Sequence, residues 1–157
     1  MKNLIVYYSY SGNTKQIAEL IKTKINADIV EIKTKQEYKG TYNQVVEQGK
    51  KEVNEGFEPE INQLNVDLSA YDNIILGTPV WWYTFAPAVK TFLSSYNLSG
   101  KTIYPFATNG GWIGHTFEDI EKALKSSFVK EGLDIYFAGG NLKTPLNKIE
   151  SWIEKIK

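Results

Sequence analysis

An apolar run, Leu4-Ile5-Val6-Tyr7-Tyr8, passes directly into Ser9-Tyr10-Ser11-Gly12-Asn13-Thr14, and an amphipathic stretch begins near Asn13. This is the order strand, small polar loop, helix. A loop of this kind leaves backbone N–H groups unpaired at a helix N-terminus, and the helix dipole adds positive potential there. The segment is therefore expected to bind an anion. Ser9, Ser11 and Thr14 add hydroxyls and Asn13 adds an amide, while no charged side chain lies within the loop. A helix cap accounts for one or two such residues, but not for four polar donors in six positions.

The lack of charge narrows the anion. A nucleotide-hydrolysing loop places a Lys in GxxxxGK[ST], and here Gly12 is followed by Asn-Thr-Lys. A dinucleotide fingerprint needs three glycines, and this loop has one. The chain has no Arg, so no guanidinium can clamp a phosphate in two-pronged fashion. A lone terminal phosphate held by neutral donors fits best.

Hydrophobic periodicity extends the pattern. Strands are expected at about 3–8, 28–32, 73–77, 102–108 and 133–138. Helices are expected from Asn13 through a stripe of Ile17, Leu20, Ile21 and Ile25, and at about 41–56, 86–96, 117–128 and 145–156. Asn73-Ile74-Ile75-Leu76-Gly77 is apolar throughout, as suits a strand buried on both faces. Five alternations of strand and helix imply an α/β fold with a parallel sheet covered on both sides. The length, 157 residues, suits one domain spanning 1–157.

Open parallel sheets bind ligands beyond the carboxyl ends of their strands. The loop after the third strand, Pro79-Val80-Trp81-Trp82-Tyr83, is dense in aromatics. The loop after the fourth, Thr108-Asn109-Gly110-Gly111-Trp112, combines glycines with a Trp. Glycines let backbone approach a flat ligand, and aromatic rings can stack on it. Three adjacent aromatics cannot all face one core, so at least one is expected at the surface or on a ligand. His115, the only His, is expected to sit at a helix start. It could also sense charge or relay a proton near neutrality.

Ser9-Tyr10-Ser11-Gly12-Asn13-Thr14 resembles the phosphate-binding loop of flavodoxins, [ST]-x-[ST]-G-x-T, and the likeness covers nearly the whole chain in element order. The resemblance implies a three-layer sandwich with a five-stranded parallel sheet in the order 2-1-3-4-5. It also implies flavin mononucleotide (FMN) as cofactor, held by Ser9, Tyr10, Ser11, Gly12, Asn13 and Thr14 at its phosphate. The flavin ring would then meet Pro79, Val80, Trp81, Trp82, Tyr83, Thr108, Asn109, Gly110, Gly111 and Trp112. The activity implied is transfer of one or two electrons between a reductase and an acceptor protein. The alternative is an NAD(P)H-dependent oxidoreductase of the quinone reductase type. Many flavodoxins carry a second-loop Gly whose peptide flips on flavin reduction. Residues 80–86 contain none, which puts the flip and its semiquinone stabilisation in doubt.

Composition excludes other classes. There is no Cys, hence no disulfide, thiolate nucleophile or iron–sulfur ligand, and no metal site is expected. A non-redox phospho-receiver would need acidic residues at the ends of strands one and three, where Tyr8-Ser9 and Gly77-Thr78 stand. Eighteen Lys against eighteen acidic residues give a formal net charge of +0, which argues against nucleic acid as partner. No apolar stretch approaches membrane-spanning length and no leader is recognisable, so a cytoplasmic protein, monomeric or weakly dimeric, is expected. An acidic stretch, Glu52 to Asp72, is read as a solvated face, with docking as the competing possibility.

Overall fold

A computed structural model describes residues 2–157. The elements run β1 (Asn3–Tyr8), α1 (Asn13–Lys24), β2 (Asp28–Ile32), α2 (Tyr42–Glu55), β3 (Asn73–Trp81), β4 (Thr84–Phe85), α3 (Pro87–Ser95), β5 (Thr102–Asn109), α4 (Thr116–Ala123), β6 (Phe128–Val129), β7 (Leu133–Ala138), β8 (Asn141–Leu142) and α5 (Leu146–Glu154). The main sheet is parallel in the order β2-β1-β3-β5-β7, the expected 2-1-3-4-5. Three two-residue strands enlarge it. β4 and β8 are antiparallel additions to β3 and β7, and β6 pairs in parallel with β5.

The apolar runs that marked the strands are buried on both faces. Ile5, Ile75, Phe106 and Ile135 meet Ile17, Ala18 and Ile21 of α1 and Ile149, Trp152 and Ile153 of α5. Leu4, Val6, Ile74, Leu76 and Ile103 face Ala88, Val89, Phe92 and Leu93 of α3 and Ile120 of α4. Pro87 opens α3, where a missing N–H costs nothing. α2 packs on β3 and α3.

Two expectations need correction. β3 continues to Trp81 instead of ending at Gly77, so Pro79, Val80 and Trp81 are strand residues. Pairing with β4 sustains the extension. The helix expected over 117–128 stops at Ala123, and Phe128 belongs to β6 and is 63% exposed. Helical spacing placed Phe128 on the apolar face. The Phe128 N–H instead bonds to the Lys101 carbonyl, and register with Thr102 fixes the residue as strand. The acidic stretch is solvated at Glu55, Glu58, Glu60, Asp67 and Asp72, as expected, and departs from that reading only at Glu52. Glu52 is buried, Asp67 accepts from Ser69 N at 3.0 Å, and Glu58 accepts from the Ser94 hydroxyl.

Candidate functional site

Adjacent registers bring the ends of β1, β3 and β5 together: Tyr7 lies beside Gly77, and Pro79 beside Thr108. The loops that follow them share one edge of the sheet.

The first loop is built mostly from its own polar side chains. Ser9 Oγ accepts from Gly12 N at 3.1 Å and Lys15 N at 3.2 Å. Asn13 Nδ2 donates to the Gly139 carbonyl at 3.0 Å, tying the loop to the turn after β7. Thr14 is buried, with its hydroxyl 2.7 Å from that of Thr108. Three of the four side chains expected to grip an anion therefore hold the loop in shape. The exposed Ser11 hydroxyl and the N–H groups of Tyr10, Ser11, Asn13 and Thr14 have no hydrogen-bond acceptor in the protein among the described residues. Asn13 and Thr14 open α1, so their donors lie at the positive end of its dipole. Gly12 has φ 101°, left-handed backbone that a side chain would strain.

The second loop is a tight hairpin. Val80 pairs with Phe85 and Trp81 with Thr84, leaving Trp82 and Tyr83 as the turn. Their φ values are 49° and 72°, the only positive values of non-glycine residues among the described residues. Positive φ at both central positions is the type I′ pattern, normally filled by Asn-Gly. Bulky residues there cost about 1–2 kcal/mol each. Such strain concentrates at ligand sites and persists where surrounding structure enforces it. On one side Trp82 Nε1 donates to the Val46 carbonyl of α2 at 2.9 Å. On the other, His115 N donates to the Tyr83 carbonyl at 2.8 Å, and the Thr84 hydroxyl donates to Asp119 Oδ2 of α4 at 2.6 Å. His115 Nδ1 also bonds that carboxylate, which fixes the ring at the start of α4.

In the third loop Gly111 N donates to Asn109 Oδ1 at 2.9 Å, closing a turn. Thr108 is buried, and a side-chain carbon on Gly110 would meet nothing within 4 Å. Trp112 reaches back to the hairpin. Its ring lies 4.7 Å from that of Tyr83, tilted by 53°, and the two residues are 64% and 47% exposed. Tyr83 and Trp112 are thus the exposed aromatics of the second and third loops, and Tyr10 is exposed in the first. Trp81 instead packs edge-on against Tyr8, Tyr10 and Tyr38 at centroid distances of 6.0, 5.9 and 5.0 Å.

Sequence reasoning missed the contribution of α2. A cleft of about 280 Å³ lies between α2 and the hairpin, lined by Val45, Val46, Gly49, Tyr10, Trp81 and Trp82, with Tyr42 and Val80 at its remaining edges. Gly49 was the one available signal, a glycine inside a helical stretch. A side-chain carbon there would stand 3.1 Å from the Trp81 ring, tighter than ordinary contact, so glycine lets that indole sit on the helix. Tyr38 donates to the buried Glu52 carboxylate at 2.6 Å, and Gln48 donates to its other oxygen at 2.8 Å. Burial first, then the Glu52 bond, pushes the Tyr38 phenol far above the usual tyrosine range. Burial does the same to Tyr8, assisted by the neighbouring Tyr10 and Glu52. Tyr7 is pushed up to about 12, by burial and then by Glu31. No group of three or more His, Asp or Glu is placed to hold a metal among the described residues.

The donor set suits FMN. Backbone N–H groups, the Ser11 hydroxyl and the O–H of Ser9, whose oxygen only accepts within the loop, form an uncharged set of donors of the kind a phosphate needs. Beside it stand aromatic and glycine-rich walls suited to a flat ring. The flavodoxin family model matches residues 2–156. A candidate flavoprotein from Bacteroides eggerthii is 28% identical with a TM-score of 0.84, covering 99% of this chain and 97% of its own. A Lactobacillus acidophilus flavoprotein crystallised in complex with FMN is 27% identical with a TM-score of 0.74, covering 85% of this chain and 91% of its own. Flavodoxin 2 from Bacillus cereus, at 24% identity and a TM-score of 0.59 over 99% of this chain and 94% of its own, shares the fold. A search of curated protein sequences finds no match. With its fold, the uncharged donor loop after its first strand and a family match over nearly its full length, this chain belongs to the flavodoxins, a family of FMN-binding flavoproteins.

Proposed function

We propose that this protein is an electron carrier that takes one or two electrons from a reductase and delivers them to an acceptor protein through bound FMN. The observation that carries the reading is the pairing of an uncharged anion cradle with a strained aromatic hairpin on one edge of a parallel sheet. Bound FMN supplies the redox chemistry, and the chain supplies binding, orientation and electrostatics.

The N–H groups of Tyr10, Ser11, Asn13 and Thr14, with the Ser11 hydroxyl, would take the phosphate. No positive side chain is needed, because the donors sit at the start of α1. The ring would lie between the Val80–Tyr83 hairpin and the Asn109–Trp112 loop. A flat ring between Tyr83 and Trp112 needs about 7 Å, twice a van der Waals contact. The pair stands at 4.7 Å and would part on binding. Both residues are well exposed, which leaves this rim open to a partner protein and suits transfer by surface contact.

An anaerobic titration of the FMN-loaded protein tests carrier against enzyme. A carrier accepts electrons from a reductase and oxidises NADPH negligibly without one. Direct reduction of the bound FMN by one equivalent of NADPH without a reductase, continuing as steady NADPH oxidation once a quinone is added as acceptor, overturns the carrier reading in favour of an NAD(P)H-dependent oxidoreductase.

A further inference from the structure

The Trp82–Tyr83 turn is held in a conformation that its own residues oppose. Positive φ at both positions suits glycine or asparagine, and this chain places two aromatic rings there. Local preference therefore cannot maintain the turn, and contacts from outside it must. Those contacts are few and specific: on one side Trp82 Nε1 donates to the Val46 carbonyl at 2.9 Å, and the rest converge from the α4 side. The Tyr83 carbonyl accepts from His115 N at 2.8 Å. Gly114 lies so close that a side-chain carbon would stand 2.3 Å from the same oxygen. The residue after the turn, Thr84, gives its hydroxyl to Asp119 Oδ2 at 2.6 Å, and the same oxygen holds His115 Nδ1. One carboxylate on the first turns of α4 thus fastens both the exit of the hairpin and the residue that grips the Tyr83 carbonyl.

We infer that Asp119 is a positioning residue for the flavin ring. Through Thr84 and His115 it fixes the left-handed turn that presents Trp82 and Tyr83 to the isoalloxazine, without touching the cofactor. This deepens the proposed function and rests on it. Asp119 lies outside all three loops, and its role follows from the convergence of two loops on one oxygen. The contribution acts on the ring end of the ligand and leaves the phosphate cradle alone. It is therefore distinct in kind from that of Ser11.

The flavin-free protein is titrated with FMN and with riboflavin, which lacks the phosphate. Thr84→Val, which removes the hydroxyl at nearly constant shape, and Asp119→Ala are expected to weaken both ligands by the same factor, about 5- to 50-fold. Thr84→Ser is expected to restore wild-type binding, and combining Thr84→Val with Asp119→Ala to cost little more than Asp119→Ala alone. Amide hydrogen exchange of His115, read without flavin, is expected to accelerate in Thr84→Val while exchange in β1 and β5 stays slow. Unchanged affinities in both variants, a loss confined to FMN, or a His115 amide that exchanges as in the wild type would each overturn the role of Asp119. If the wild type binds neither ligand, the FMN reading has failed, and the exchange result alone decides whether the turn is fastened as described.

Discussion

Replacing Gly114 by Ala probes the same contact through stability, with Gly100 as an internal standard. Both glycines have positive φ, 61° and 77°. An alanine at either position incurs the left-handed penalty of about 1–2 kcal/mol. They differ in what the added methyl meets. At Gly100 it meets nothing within 4 Å, whereas at Gly114 it would stand 2.3 Å from the Tyr83 oxygen, 2.6 Å from its Cα and 2.7 Å from its carbonyl carbon. These are backbone atoms and cannot swing away as a side-chain tip can. The hairpin must retreat by about 1 Å, stretching the 2.8 Å bond from His115 N to Tyr83 O. Loss of that bond removes about 0.5–1.5 kcal/mol, and overpacking typically adds 1–3 kcal/mol. The excess of Gly114→Ala over Gly100→Ala should be about 1.5–4.5 kcal/mol. In urea unfolding of the flavin-free protein, at a slope of about 2 kcal/mol/M, that places its midpoint about 0.75–2.25 M below the standard. Midpoints within about 0.3 M of each other would refute the close approach of the two loops.

Three further outcomes are expected. Stability should fall as pH rises past 10, because Tyr7, Tyr8 and Tyr38 retain protons that the unfolded chain releases there. The contribution is complete below pH 10, declines as the unfolded tyrosines ionise, and for Tyr7 is exhausted once the folded group ionises at about 12; equal urea midpoints at pH 9 and 11 would contradict it. Tyr38→Phe leaves the buried Glu52 carboxylate with Gln48 as its remaining side-chain donor, and should destabilise by about 1–3 kcal/mol in the same assay. With the Tyr83 carbonyl engaged by His115 and no glycine in the turn, FMN reduced halfway should show little semiquinone absorbance. A strong semiquinone band would mean that the hairpin rearranges.

The scaffold was readable because its signals were local and strong. Continuous apolar runs marked β1 and β3, and the single loop glycine at position 12 sits where left-handed backbone is required. Phe128 deceived because a fourth residue at helical spacing looks the same whether the helix continues or a two-residue strand begins. Asn13 and Thr14 were recognised as loop residues, but their side chains turn to Gly139 and Thr108, partners 126 and 94 residues away. Such contacts leave no trace in local spacing. Tyr38, Tyr42, Val46 and Asp119 escaped for the same reason: each reaches the site only through packing of α2 or α4 against the hairpin. The aromatic run at 81–83 does not face one core, as three adjacent aromatics cannot. It divides between the aromatic cluster, α2 and the exposed rim.

Calorimetric titration of the flavin-free protein with FMN and riboflavin, on wild type and Ser11→Ala, tests the phosphate cradle most directly. A hydrogen bond to a charged group contributes about 1.5–3 kcal/mol, so Ser11→Ala should weaken FMN by roughly 10- to 150-fold and leave riboflavin unaffected. Equal affinities of the wild type for the two ligands, or equal losses in the variant, would contradict a loop that holds the phosphate.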